Sequence, residues 1–67
     1  MQKIEEIFTG AIWHNKYNND EVILFIKLDG TAFCYSENLN IEKISKELLL
    51  QELIDKNYYY KKSLIKK

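Results

Sequence analysis

The chain has 67 residues, one cysteine, no proline and no arginine, with ten lysines against ten carboxylates. That length allows one domain at most, with a thin stability margin, and one cysteine excludes an internal disulfide. The zero net charge hides a split: residues 1–55 hold five lysines and ten carboxylates, a formal −5, while residues 56–67 hold five lysines and no carboxylate, a formal +5. Such asymmetry bears on partners rather than on fold.

Apolar residues make up 46% of the chain and aromatic residues 13%. That is more than so small a body readily hides, so self-association or docking on a larger partner is expected. The lone Cys34 suits a reducing compartment. The stretch Met1 to Glu6 has no apolar signal-peptide core. The longest purely apolar run, Val22 to Ile26, falls far below the ~20 residues of a membrane span. A soluble cytoplasmic protein with no membrane contact is therefore expected.

In chain order, Ile7 to Tyr17 predicts a strand, alternating Ile7, Thr9, Ala11, Trp13 and Tyr17 with Phe8, Gly10, Ile12, His14 and Lys16. Both faces carry apolar groups, so this strand is central or sandwiched at a contact. Gly10 within it suggests a bulge or a close backbone approach. Asn18-Asn19-Asp20 is turn chemistry, because Asn and Asp tolerate left-handed backbone angles. Glu21 to Leu28 is a second strand, with Val22, Leu24, Ile26 and Leu28 opposite Ile23, Phe25 and Lys27. Asp29-Gly30 predicts a tight hairpin turn. Thr31 to Ser36 is a third strand, with Phe33 and Tyr35 opposite Ala32 and Cys34.

The period then changes. Asn40 is placed to cap a helix over residues 40–56, with Glu42 in its first turn. Ile41, Ile44 and Leu48 make a stripe to cover the sheet. Leu49, Leu50, Leu53 and Ile54 widen the apolar surface beyond one contact, which suits an oligomer interface. Residues 57–67 form a basic, aromatic segment read as further helix, with a strand as the alternative because Tyr58-Tyr59-Tyr60 has strong strand propensity. The expected fold is α+β: a three-stranded antiparallel meander (7–36) covered by a C-terminal helix, with a helical or strand extension.

Catalytic chemistry is not expected. Nucleophilic catalysis needs a nucleophile, a base and an orienting group, and Cys34 with His14 is the only pair that could begin one. Cys34 reads as a small apolar residue packed in the third strand, and His14 as a surface residue near a strand end. One His and one Cys do not complete a four-ligand zinc site. With Gly10 and Gly30 as the only glycines, there is no phosphate loop. No metal or cofactor is implied.

Binding features remain. Tyr58, Tyr59 and Tyr60 beside Lys56, Lys61 and Lys62 have the composition of a nucleic-acid surface, since tyrosine rings stack on unpaired bases and lysines neutralise phosphates. Trp13, Phe25 and Tyr35 could anchor a protein interface, Trp13 and Tyr35 being the favoured pair. The acidic body could compete for the basic channel of a nucleic-acid enzyme.

In length, compact α+β character, lack of catalytic motifs and concentrated charge, the chain resembles the small proteins of phages and mobile elements that block host defence nucleases, including anti-CRISPR proteins. The resemblance implies stoichiometric binding to a larger host protein or ribonucleoprotein, and it implies no particular residues. The expected function is therefore a non-enzymatic interaction protein that inhibits or regulates a nucleic-acid-processing enzyme, such as an RNA-guided CRISPR nuclease. The alternative is a small homo-oligomeric RNA- or DNA-binding protein working through the Tyr/Lys-rich C-terminal segment.

Overall fold

Turn residues shape the first half of the molecule. In the computed structural model, which describes residues 4–37 and 39–63, β1 (Ala11–Asn15), β2 (Glu21–Ile26) and β3 (Ala32–Tyr35) form an antiparallel meander. Gly30 takes the left-handed angle (φ 95°) that a side chain would strain. Around it the Lys27 N–H donates to the Thr31 carbonyl at 2.8 Å, and Asp29 Oδ1 accepts from the Thr31 N–H at 2.9 Å. Asn19 supplies the same left-handed geometry (φ 62°) between β1 and β2.

The first strand is shorter than its alternation predicts. Ile4–Glu6 forms a 3-10 turn, and β1 begins only at Ala11. Gly10 lies just before the strand with φ 95°, and its N–H reaches the Leu24 carbonyl at 2.9 Å. The expected close backbone approach is there, in a turn rather than inside a strand.

The second half corrects two expectations. Residues 40–43 are not helix: β4 (Asn40–Lys43) pairs antiparallel with β3, Cys34 opposite Ile41 and Phe33 opposite Glu42. Pairing satisfies the outer backbone groups of β3, and Ile41 packs against the core where helical propensity alone would not put it. The helix α1 spans Lys46–Asp55 and is capped by Ser45, whose Oγ accepts from the Leu48 N–H at 3.3 Å. Such a cap contributes about 1 kcal/mol. Asn40 caps nothing, and Ile44 and Leu48, assigned to the covering stripe, are exposed.

Residues 58–63 are strand, not helix. Asn57 turns left-handed (φ 69°) and its N–H donates to the Ile54 carbonyl at 3.0 Å, which ends the helix without glycine. β5 (Tyr58–Ser63) then runs back along β1. Residues 64–67 of the expected C-terminal segment lie outside the described residues. The sheet thus has five strands, not three, in the order β4-β3-β2-β1-β5. The α+β class and the antiparallel meander stand. Among the described residues no helix is long and apolar enough to cross a membrane.

One face of the sheet meets α1 and the 3-10 turn. Trp13, Leu24, Leu49 and Leu53 are fully buried there, with Ile7 and Cys34. The indole Nε1–H of Trp13 donates to the Glu6 carbonyl at 3.0 Å, which ties the 3-10 turn to β1. Leu49 and Leu53, expected at an oligomer interface, are consumed by this core. Leu50 packs against its edge, and Ile54 is exposed.

Candidate functional site

The other face of the sheet has no described element over it. Strand alternation places Ile12 and His14 of β1, Glu21, Ile23 and Phe25 of β2, Phe33 and Tyr35 of β3, and Tyr59 of β5 on that side. Pairing aligns them in rows. One row, Asn40–Tyr35–Ile23–Ile12–Lys62, crosses all five strands. On one side of it lies Glu42–Phe33–Phe25, and on the other Glu21–His14–Tyr59. The middle is apolar and the margin is charged, which is the anatomy of a protein interface.

Apart from Tyr35, the aromatic rings of this face meet one another. Phe25 and Phe33 stack at 5.2 Å between centroids with 24° between planes, and Lys27 Nζ sits 5.5 Å from the Phe33 centroid. His14 and Tyr59 meet edge to face at 5.5 Å. Two lysines are engaged too. Lys27 Nζ pairs with Glu42 Oε2 at 3.5 Å, and Lys61 Nζ with Glu21 Oε2. His14 Nδ1 lies 3.2 Å from the same Glu21 oxygen. The hydrogen bond from Lys61, with His14 adding a smaller share, holds the Glu21 carboxyl below the usual glutamate range, and Glu21 raises Lys61 in return.

A bulge sets where the C-terminal lysines point. Opposite Ile12 and Trp13 the register of β5 slips by one residue, so Tyr60 pairs with Trp13 and Lys62 with Ile12. Lys61 is the extra residue, and both lysines end on the uncovered side. The tyrosine triplet is divided by the same alternation. Tyr59 joins the uncovered face, while Tyr58 and Tyr60 turn inward; Tyr58 is buried, and Tyr60 packs against Phe8 and Trp13. Lys56 stands apart, at the end of α1, 3.4 Å from Glu52. Trp13 is 0% exposed, so it is no surface anchor, whereas Tyr35 is 54% exposed and available.

Ile12, Ile23 and Phe33 were not singled out as site residues from sequence, whereas Phe25 was named there as an aromatic anchor. The signal was present in the double-sided apolar pattern of the first two strands. A strand buried on one face needs only alternate apolar residues.

A second polar cluster lies near the β1–β2 turn. Asp20 Oδ2 accepts from the Tyr58 hydroxyl at 2.6 Å and the Ser36 hydroxyl at 3.0 Å. Burial, and then the Asp20 carboxylate, raise the Tyr58 phenol far above its ordinary value. Asn15 alongside accepts from the Tyr17 and Asn18 N–H groups and donates to the Lys56 carbonyl. These bonds join the β1–β2 turn, β3 and β5, which is the work of a structural lock.

Cys34 is fully buried, and desolvation pushes its thiol up to about 11. The thiolate, not the thiol, is the nucleophile. A thiol reagent at neutral pH should therefore label folded protein only slowly and denatured protein rapidly. Fast labelling of the fold would contradict the buried placement. His14 is on the opposite face of the sheet from Cys34, so the two do not form a catalytic pair. No group of three or more metal-ligating side chains occurs among the described residues.

No family model matches the sequence, and no curated protein or solved structure matches it.

Proposed function

We propose that this chain is a non-enzymatic interaction protein that docks its uncovered sheet face on a larger protein and thereby inhibits or regulates it. The observation that carries this reading is the contiguous apolar centre, Ile12, Ile23, Phe25, Phe33 and Tyr35, ringed by charges that include the pairs Lys27–Glu42 and Lys61–Glu21. Edge-strand addition is a poorer mode. β4 has only four residues, and β5 carries a bulge and two lysines, which are devices that blunt sheet edges.

The partner class follows from charge. Glu5, Glu47 and Asp55 are exposed on the 3-10 turn and α1, and Glu21 and Glu42 are exposed at the margin of the docking face. Such a body suits a target with a basic channel, as nucleic-acid-processing enzymes have. An RNA-guided nuclease is the first to test. Phe25→Glu should weaken capture of such an enzyme by about 2 kcal/mol or more, roughly thirtyfold, and should relieve inhibition of nucleic-acid cleavage, with the far-UV spectrum unchanged. If wild-type protein neither binds nor inhibits any nuclease or polymerase complex, the reading fails.

A nucleic-acid reading rests on Tyr59, Lys61 and Lys62 sharing one side of β5. Against it, Lys61 and Lys27 already neutralise carboxylates, and the Phe33 ring is covered by Phe25 and Lys27. Each phosphate neutralised on a single strand adds only about 0.7 to the salt slope, so the few lysines here support a weak contact.

A further inference from the structure

We infer that the Asp29-Gly30 peptide is a covalent modification site: when the β2–β3 loop opens, Asp29 cyclises onto the Gly30 nitrogen, and hydrolysis to isoaspartate unpairs Phe25 from Phe33. The closed loop holds this step back. The modification needs no partner, so it stands apart from the docking reading above.

Residue types single out the position. Among the Asp and Asn residues of the chain, Asp29 alone precedes a glycine, and a glycine nitrogen has no side chain beside it to hinder attack. The loop is also open to water. Leu28 is fully exposed, and nothing among the described residues lies within 4 Å of where a Gly30 Cβ would sit. Protection therefore rests on the loop's own bonds.

The step balances with water alone. The Gly30 nitrogen attacks Cγ of the neutral Asp29 carboxyl. The N–Cγ bond forms, and the nitrogen's proton leaves with the carboxyl hydroxyl as water. A second water then opens the cyclic imide. Cleaving the new N–Cγ bond restores aspartate. Cleaving the bond from nitrogen to the former main-chain carbonyl gives isoaspartate, whose backbone runs through Cβ and Cγ and whose α-carboxylate hangs free.

Hydrogen bonds oppose ring closure in the fold. The Gly30 N–H donates to the Lys27 carbonyl at 3.0 Å, the Lys27 N–H donates to the Thr31 carbonyl at 2.8 Å, and Gly30 is left-handed at φ 95°. Leu28-Asp29-Gly30 thus has the pattern of a type I turn closed by a bulged glycine, and the attacking nitrogen is held on Lys27. Asp29 Oδ1 accepts from the Thr31 N–H at 2.9 Å, which draws the carboxyl past Gly30. Bonds from the Thr31 main chain, and then its side chain, also keep this carboxyl below the usual aspartate range, so less of the neutral acid that cyclises is present. Loop opening breaks these bonds together, and an exposed hairpin tip opens at less cost than the core.

Isoaspartate does not fit this loop. It lengthens the main chain by the Cβ methylene and takes away the side-chain acceptor that Thr31 uses. Turn geometry sets hairpin register, and the pairs Ile26–Ala32 and Phe25–Phe33 follow directly on the loop. The Phe25–Phe33 stack, 5.2 Å between centroids, is the part of the uncovered face nearest to it in sequence.

Peptide mapping, with methylation by protein L-isoaspartyl methyltransferase, counts isoaspartate at position 29 after equal incubations of the full chain in buffer and in guanidinium chloride. The denatured chain should accumulate it at least about tenfold faster than the folded one, because the fold reacts only through its open loop. Gly30→Ala, compared in denaturant only, should slow the step. Equal rates in the two conditions, or no isoaspartate at position 29 in the denatured chain, would overturn the inference. The modified chain is then returned to buffer, with unmodified chain taken through the same treatment as the reference, and read by amide hydrogen exchange. The Phe25 and Phe33 amides should exchange at least about tenfold faster than in the reference, while those of β1 and β5 change less. A modified chain that does not refold beside a reference that does would also show the two rings parted. Unchanged exchange at Phe25 and Phe33 would overturn the structural half of the inference.

Discussion

Trp13→Ala should leave the protein unfolded or barely folded at room temperature. The side chain is fully buried between the sheet and α1, its ring meets Tyr60 edge to face at 6.4 Å, and its N–H holds the Glu6 carbonyl. Truncating a buried aromatic residue costs about 3–5 kcal/mol. At about 0.05–0.15 kcal/mol per residue, a chain of this length has only roughly 3–10 kcal/mol in total. The loss is therefore comparable with the whole margin. Far-UV circular dichroism against urea reads it, since Trp13 is the only tryptophan and fluorescence disappears with it. Leu28→Ala, at a fully exposed turn residue, should change stability by no more than about 0.5 kcal/mol. Equal effects from the two substitutions would mean that the core is not where it is described.

Asp20→Ala should be the most damaging change of a polar residue, at about 2–3 kcal/mol. It takes the carboxylate acceptor from the buried Tyr58 hydroxyl and from Ser36, and depriving a buried donor of its acceptor costs about 1–3 kcal/mol. Tyr58→Phe removes one bond to a carboxylate that keeps Ser36, so it should cost less. Adding Tyr58→Phe to Asp20→Ala should recover part of the loss, because the hydroxyl that lost its carboxylate acceptor is then gone. The phenol also predicts a pH dependence. Its folded value is raised, so the folded state keeps a proton that the unfolded chain gives up near pH 10.0. Stability should be fully present below that pH and fall as pH rises beyond it, and Tyr58→Phe should flatten the fall. Denaturation midpoints of the three variants, taken at neutral and alkaline pH, decide the matter. Asp20→Ala costing no more than Tyr58→Phe would remove the lock.

The uncovered face was half legible. Tyr35 and Tyr59 were flagged as binding residues, and Lys61 and Lys62 with them, and these lie on the uncovered side. Trp13, Tyr58 and Tyr60 were flagged for the same aromatic character and turn inward. Composition along the chain does not separate Tyr59 from its neighbours; only the strand parity imposed by pairing with β1 does. Leu49 and Leu53 looked like surplus apolar surface while the sheet was counted as three strands. A five-stranded sheet has room for both beneath α1, and the surplus moves to the opposite face.

Local chemistry was enough for the turn at Asp29-Gly30, the turn at Asn18-Asn19-Asp20 and the two strands between and beyond them. In each case the backbone angle or the alternation is set by residues a few positions apart. The state of residues 40–43 and 58–63 was decided by tertiary structure. Ile41 and the tyrosine triplet can serve a helix or a strand, and the unpaired backbone edges of β3 and β1, distant in sequence, recruit them into the sheet. That recruitment also settled which face α1 covers, and hence which apolar residues stayed on the uncovered face.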